Sequence, residues 1–422
     1  MSSALLTDRY ELTMLQAALQ SGKAERQCVF EVFTRNLPNG RRFGVLAGVG
    51  RALEAIEDFR FGDSELAYLR EQQIVDSKTL DYLANYQFQG QITGYREGEL
   101  FFPGSPIMTV EGDFASAVIL ETVILSILNY DSAVASAGAR MHAAAKGRTL
   151  VEMGARRAHE QAAVAAARAA YIVGFDSTSN LEAGRNYGIP TMGTSAHSFT
   201  LLHDSEREAF EAQISAFGAT TTLLVDTYDV AKAVSLAVEL TEGKIAAVRL
   251  DSGDLAETAV AVRKQLDTLG ATETKIVVTS DLDEYTIAAL ASAPVDRYGV
   301  GTSLVTGSGA PTAGFVYKLV AHKSDSGWID VAKKSAGKAS PGGKKTARRM
   351  VADGIAIAEL IGEPNAGREL QVSLWDQGAN ESMISAAGVE NAREHHRASM
   401  SELPAAGLRL SRGEPAIPTE YR

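Results

Sequence analysis

Between about residue 170 and residue 305, short apolar runs alternate with amphipathic segments, and this alternation restricts the fold more than any other feature. The runs "YIVGF", "TTLLVDT", "IAAVRLDSG", "KIVVTSD" and "RYGVGTS" are rich in β-branched residues, and each ends in polar or glycine residues. They read as strands. Between them, "DVAKAVSLAVELTEG" and "LAETAVAVRKQLDTLG" space their apolar residues for one face of a helix. Strands separated by a helix of that length pair in parallel, so an α/β sheet or barrel is expected. In either architecture ligands collect at the carboxyl ends of the strands.

The flanking sequence has another texture. Runs such as "CVFEVF" and "GELFFPGSPIMTVEG" follow an N-terminal helical stretch, which suggests an α+β module over residues 1–115. Residues 116–325 form the expected barrel domain, and the turn-rich stretch 326–422 is expected to complete the first module. A length of 422 residues suffices to bury a core without staples, and the single cysteine, Cys28, excludes an internal disulfide or a cysteine-type zinc site. No apolar run is read as approaching the ~20 residues of a membrane span. The start "MSSALLTDRYELTM" has no basic segment leading into an apolar one, so a cytoplasmic location is expected. A net charge of -11 argues against a nucleic-acid or membrane-surface partner. Against that background the basic cluster at 333–349, "KKSAGKASPGGKKTARR", stands out, although a solvated charged loop is the ordinary reading of such a run.

Polar residues recur where the strands end, at 176–179, 226–227, 249–254, 280–283 and 299–303. Five adjacent ends would converge on one cleft. In "VRLDSGD", Arg249 and Asp251 alternate with Leu250 and can face the same side. A guanidinium there suits a carboxylate or phosphate, and an aspartate suits sugar hydroxyls; a buried ion pair is the alternative. "YGVGTSL" lets backbone N–H groups approach a phosphate, but it matches neither a dinucleotide fingerprint nor a Walker loop. No H-E-x-x-H occurs, and His395 with His396 lies in a polar helix-like tail. In "GIPTMGTSAHSF", His197 should lie beyond another strand end, with Thr194, Ser195 and Ser198 available to fix its tautomer. A nucleophile or an acid/base would both fit.

The stretches "LLTDRYELTM", "VFEVFTRNLP", "GFDSTSNLEAGRNYGIP", "GTSAHSF", "VRLDSGDL", "TSDLDE", "YGVGTSL" and "KKSAGKASPGGKKTARR", in this order and spacing, resemble the nicotinate phosphoribosyltransferase family over nearly the whole chain. The resemblance implies an irregular α/β barrel of the type II phosphoribosyltransferase kind, with an N-terminal α+β sandwich module completed by the C-terminal segment, and head-to-tail homodimers that share active sites. It implies that nicotinate and phosphoribosyl pyrophosphate yield nicotinate mononucleotide and pyrophosphate in NAD synthesis, with Mg²⁺ present and ATP hydrolysis coupled through a phosphorylated His197. Arg249 and Asp251 match residues that flank the pyridine and bind the ribose, and Arg156 matches a substrate-cleft arginine. Ser280, Asp281, Gly301 and Thr302 match the 5′-phosphate site. Tyr10 and Arg35 match residues that enter a neighbouring subunit's cleft, over which the basic segment near Lys344 would close.

Ser179, within "DSTSN", stands where nicotinamide-using relatives carry an aspartate, which implies a preference for nicotinate. Thr194, Ser195 and Asp254 complete the expected binding set. Met153 departs from the phenylalanine usual before the glycine of "FGxRR", so ring stacking would come from elsewhere or from the thioether. Three rivals remain. A quinolinate-type transferase would need a second basic pocket, a nicotinamide-type one would need a carboxylate at Ser179, and a silent ligand-binding homologue fits poorly with His197, Asp251 and Asp254 all present. A further possibility set aside, a barrel aldolase or isomerase, would need a positioned lysine or base pair that is not identifiable at a strand end.

Overall fold

The computed structural model describes residues 2–333, 341–363 and 365–422. The chain divides into two units, Met1–Ser136 with Ala310–Arg422, and Ala137–Gly309. The boundaries read from composition, near 115 and 325, fall inside the first of these, and residues 310–422 join 1–136 in it.

The second unit holds six strands: β1 (Thr149–Glu152), β2 (Ser177–Thr178), β3 (Thr222–Leu224), β4 (Ala247–Leu250), β5 (Lys275–Val278) and β6 (Arg297–Val300). They pair in the order β2-β1-β6-β5-β4-β3. Every pairing is parallel. The sheet curls into the half of an irregular α/β barrel, as the alternation of strand and helix requires. Each crossover helix buries one stripe against it: Ala259, Val262 and Leu266 from Leu255–Thr268, and Ala233, Val234, Ala237 and Val238 from Val230–Leu240. Residues in register at the carboxyl ends are Leu250 with Val278, and Glu152 with Val300 and Thr178. The polar residues that follow therefore emerge at one level.

Two expectations need correction. "YIVGF" is not a strand: Tyr171 and Ile172 end the helix Glu160–Ile172, and Gly174 closes it at φ 109°. The alanine-rich run before it has the strongest intrinsic helical preference, so the helix continues until glycine releases it, and the strand is only Ser177–Thr178. Conversely "TLVE" forms β1, a strand of four residues that went unread beside the longer apolar helix preceding it. That helix also corrects the reading of apolar runs. The stretch Phe114–Ala145 is long and apolar enough by composition to cross a membrane, yet 61% of its apolar window is buried inside the protein.

The first unit is built on a six-stranded sheet in the order Gly327–Asp330, Phe315–Ser324, Gln27–Thr34, Met108–Asp113, Gln91–Tyr95 and Gln371–Asp376, antiparallel throughout. Phe30 stacks on Tyr317 across it at 4.8 Å. A four-stranded sheet carries Ala347–Ala352 and Ile355–Ile361. The basic cluster is partly absorbed into this unit. Arg349 is fully buried, 2.7 Å from Glu359 and 3.3 Å from Glu99. Lys345 meets the buried Glu31 at 2.7 Å and Lys344 meets Glu111 at 2.6 Å. These cations neutralise carboxylates of their own unit, which is why they persist inside a fold. Lys334 and Lys338 lie outside the described residues.

Glu11 is buried beneath the start of the helix Glu121–Ala145, where it accepts hydrogen bonds from the Thr7 and Thr122 hydroxyls and from the Thr122 N–H at 2.9 Å. Burial pushes its carboxyl up to about 7, against the hydroxyls of Thr122 and Thr7, which lower it. The folded protein therefore holds a proton that the unfolded chain releases near its ordinary value of 4.5. Stability from this group is full below the unfolded value and falls as pH rises through about 7. Thermal unfolding at constant ionic strength should show Glu11→Gln, which cannot ionise, gaining Tm relative to the parent between pH 5 and pH 7.5. An unchanged difference across that range would contradict the buried-proton assignment.

Candidate active site

β4 carries the central pair. Arg249, with its side chain 12% exposed, and Asp251, 29% exposed, approach at 3.1 Å between Nη2 and Oδ2. They project from one face of the strand because side chains two apart do so. Arg249 is also fixed from β5, where Nε donates to the Thr279 hydroxyl at 3.0 Å. Nη1 donates to Thr194 Oγ1 at 2.7 Å and to the Ser195 carbonyl at 3.1 Å. A guanidinium has five N–H groups, so these contacts and the Asp251 pair leave one for a ligand.

Thr279 was not singled out from the sequence, although it completes the centre. It is 4% exposed. Its hydroxyl accepts from Arg249 and donates to Asp251 Oδ1, tying the two charged groups together. The only signal was its place one residue beyond the apolar run of β5. The parallel register of Val278 with Leu250, which sets Thr279 beside Asp251, is a tertiary fact. Asp226, at the end of β3, holds the neighbouring turn: its Oδ2 accepts from the Asp251 N–H at 2.8 Å and from Ser252 Oγ at 2.6 Å. Its Oδ1 is buried without a protein partner.

His197 opens the one-and-a-half-turn helix His197–Leu202. It does not follow a regular strand; a single parallel bridge between Thr178 and Thr191 precedes it. Nδ1 lies 3.1 Å from Thr227 Oγ1, and Nε2 lies 3.8 Å from Asp251 Oδ2. Thr227, from the end of β3, thus orients the imidazole. The expected partners Thr194 and Ser195 hold Arg249 instead, because the turn at 193–196 directs their oxygens toward β4.

The remaining expected residues separate into groups. Ser280 and Asp281 follow β5 and are exposed, and Ser280 sits at φ 106°, a conformation that favours glycine. Gly301 and Thr302 follow β6, with Thr302 opening the short helix Thr302–Val305. Ser179 is exposed after β2, its N–H donating to the Glu152 carbonyl at 2.9 Å. Arg156 is exposed on the single turn Ala155–Arg157. Asp254 has a structural duty, since its carboxylate caps the helix Leu255–Thr268 by accepting from Ala256 N–H at 3.1 Å and Glu257 N–H at 3.0 Å. Tyr10, Arg35 and Lys344 belong to the other unit, where Arg35 lies over the Phe33 ring at 5.5 Å and Lys344 is paired with Glu111. Met153 packs on bare backbone: a Cβ at Gly299 would come within 2.7 Å of its sulfur.

A cavity of about 740 Å³, lined among others by Met192, Thr194, Ser195, Phe199, Thr222 and Arg297, adjoins this centre. Its walls mix apolar side chains with hydroxyls, the usual make-up of a small-molecule site. A carboxylate held by a guanidinium and a hydroxyl beside an imidazole can stabilise positive charge on a sugar carbon, or assist a transfer onto the imidazole.

Comparison with known proteins gives the same direction. The nicotinate phosphoribosyltransferase N-terminal domain model matches residues 5–129, and the nicotinate phosphoribosyltransferase family model matches residues 149–374. The nicotinate phosphoribosyltransferase pncB1 of Mycobacterium tuberculosis is 53% identical over 99% of this chain and 95% of its own. The nicotinate phosphoribosyltransferase of Bacillus subtilis is 38% identical over 82% of this chain and 73% of its own. Among solved structures, human nicotinic acid phosphoribosyltransferase superposes with a TM-score of 0.82 at 26% identity, covering 98% of both chains. With matches to two family models, this identity over nearly its full length, and strand ends that converge on Arg249, Asp251 and His197, the chain belongs to the nicotinate phosphoribosyltransferase family.

Proposed function

We propose that the cleft at the strand ends joins nicotinate to 5-phosphoribosyl 1-pyrophosphate, releasing pyrophosphate and nicotinate mononucleotide, with ATP hydrolysis coupled through phosphorylation of His197. The observation that carries this reading is the Asp251 carboxylate, which stands between Arg249 at 3.1 Å and His197 at 3.8 Å. As the bond from the ribose C1 to pyrophosphate breaks, positive charge develops on the sugar ring and the pyridine nitrogen attacks C1. Asp251 offsets that charge from an orientation already set by Arg249 and Thr279, so little reorganisation is needed during the step. The remaining N–H of Arg249 is available to the nicotinate carboxylate. Exposed Ser280, Asp281 and Thr302, with the half-buried Gly301, would take the 5′-phosphate, where backbone N–H groups after a strand can converge on an anion.

Among the described residues no group of three or more histidine, cysteine or carboxylate side chains can cage a metal. Asp226, with its unpartnered buried oxygen, and Asp251 would hold one face of the ion, leaving the rest to phosphate oxygens and water, a donor set that suits magnesium. Bound there, magnesium neutralises the pyrophosphate leaving group. With Nδ1–H donating to Thr227, Nε2 of His197 keeps its lone pair for the γ-phosphorus of ATP; ADP leaves, and water later cleaves the P–N bond to release phosphate. Tyr10 and Arg35 would serve the cleft of a second copy, and the small charged substrates suit a cytoplasmic enzyme.

His197→Ala should remove the ATP-stimulated part of nicotinate mononucleotide formation and the accompanying ADP release while leaving a slow ATP-independent transfer. Thr227→Val should lower the ATP-stimulated part about tenfold, the equivalent of ~1.4 kcal/mol of lost orientation. An ATP-stimulated rate that survives His197→Ala intact would remove the phosphohistidine from the mechanism. For selectivity, a carboxylate at position 179 about 4 Å from that of nicotinate would repel it by ~4 kcal/mol at an effective dielectric near 20. Ser179→Asp should therefore move the ratio of kcat/KM values from nicotinate toward nicotinamide. Parallel product assays with nicotinate, nicotinamide and quinolinate read this directly, and an unmoved ratio would refute the assignment of Ser179.

A further inference from the structure

Glu152, the last residue of β1, is 1% exposed and reaches no ligand surface. Burial nevertheless has not left it idle. One carboxyl oxygen accepts the Gly154 N–H, and the other accepts the Thr178 hydroxyl at 2.5 Å. Its main-chain carbonyl accepts the Ser179 N–H at 2.9 Å. Thr178 is also 1% exposed and passes the connection on. Its hydroxyl accepts the Asn180 N–H at 3.0 Å, and Asn180 caps the helix Leu181–Tyr187 through Ala183 N–H at 3.0 Å. The Thr178 carbonyl accepts the Met192 N–H at 3.0 Å, at the start of the segment that leads to Thr194, Ser195 and His197.

The opposite side of the carboxyl group is equally constrained. Gly154 packs so closely that an added Cβ would lie 2.3 Å from Val305 Cγ1 and 3.0 Å from the Gly301 carbonyl. The turn Ala155–Arg157 that presents Arg156 starts directly after it. Beside the backbone bonds of the Ser179 N–H to the Glu152 carbonyl and of the Met153 N–H to the Val300 carbonyl, one buried carboxyl side chain therefore links the turn after β1 to the loop after β2. Removing it leaves the Gly154 N–H and the proton of the Thr178 hydroxyl without their acceptor in a place water does not reach.

We propose that Glu152 is the positioning residue of the pyridine subsite: it fixes Ser179 and the turn bearing Arg156 relative to each other, and so sets affinity and selectivity for the pyridine acid without touching it. This rests on the reading of Ser179 and Arg156 given above. A glutamine in its place can still accept the Gly154 N–H and donate to the Thr178 oxygen, so geometry rather than charge is the expected requirement.

The test is steady-state kinetics of the full-length enzyme with nicotinate, nicotinamide and phosphoribosyl pyrophosphate each varied. Glu152→Ala should raise KM for nicotinate about tenfold or more, in line with ~1.4 kcal/mol for each tenfold, change kcat less than about threefold, and leave KM for phosphoribosyl pyrophosphate in place. Glu152→Gln should restore nicotinate KM to within about threefold of the parent. Thr178→Val should shift nicotinate KM in the same direction, and the double variant with Glu152→Ala should lose less than the two single losses combined. Equal rises in both KM values, a Glu152→Gln variant as impaired as Glu152→Ala, or kinetics unchanged beside a lowered Tm would each overturn the proposal. Should Glu152→Ala not fold, Thr178→Val decides: a rise in nicotinate KM alone supports the assignment and no change overturns it. The parent in the same assay separates the two levels, since a parent inactive on nicotinate sinks the function itself, whereas an active parent with unmoved variants sinks only the role of Glu152.

Discussion

Parallel pairing is the constraint on which the site depends. Strands that run the same way end at the same side, so whatever residue follows the last apolar position of each strand is delivered to one rim. In this chain Glu152, Ser179, Asp226, Asp251, Thr279 and Gly301 occupy or directly follow that rim on six adjacent strands. Beyond the local contacts of Asp251 with Arg249 and of Glu152 with the Gly154 N–H, their partners are distant in sequence. The pair Asp251 and Thr279 is 28 positions apart, and Arg249 and Thr194 are 55 apart. A slip of one residue in the pairing of β4 with β5 would turn Thr279 to the other face and leave Arg249 and Asp251 without the hydroxyl that links them.

Arg249, Asp251 and His197 are preorganised largely by hydroxyls, with the Asp226 carboxylate the one further charge. Arg249 satisfies itself on two threonine hydroxyls, a carbonyl and one carboxylate, so it enters the reaction with its plane already set. His197 is oriented by Thr227, and the Asp251 turn by the Asp226 carboxylate. Hydroxyls suit this duty because each can accept and donate at once, which links charged groups without adding repulsion. Elsewhere the chain handles charge differently. In the first unit, Glu99, Arg349, Glu359 and Arg368 form a buried network whose members neutralise one another. There the geometry serves packing, and removing one member would leave its partner charged and dry.

Much of this was legible in the residues. Short β-branched apolar runs gave β3 to β6 and the 3.6-residue periodicity between them gave the crossover helices, because buried strands are apolar throughout and each helix buries one face. The alternation of Arg249 and Asp251 placed both on one face, and the glycine-rich turns marked the strand ends. Other features resisted reading for physical reasons. β1 and β2 are so short that tertiary pairing, not propensity, decides their state, and the helix through Tyr171 extended over a run of strand-like composition until Gly174 ended it. The helix Leu255–Thr268 claimed Asp254 as its cap, a duty that a functional reading of "VRLDSGD" passed over.

The sequence by itself determined the class of fold, the set of polar residues at the strand ends and the family, since these follow from local periodicity and from the order of motifs along the chain. Only the tertiary structure decided which hydroxyl serves which charge: Thr279 for Asp251, Thr194 for Arg249, Thr227 for His197 and Thr178 for Glu152. A threonine after a strand looks the same in sequence whichever neighbour it faces. Its partner is fixed by strand order and register across crossovers of dozens of residues, and that information exists only once the sheet has formed.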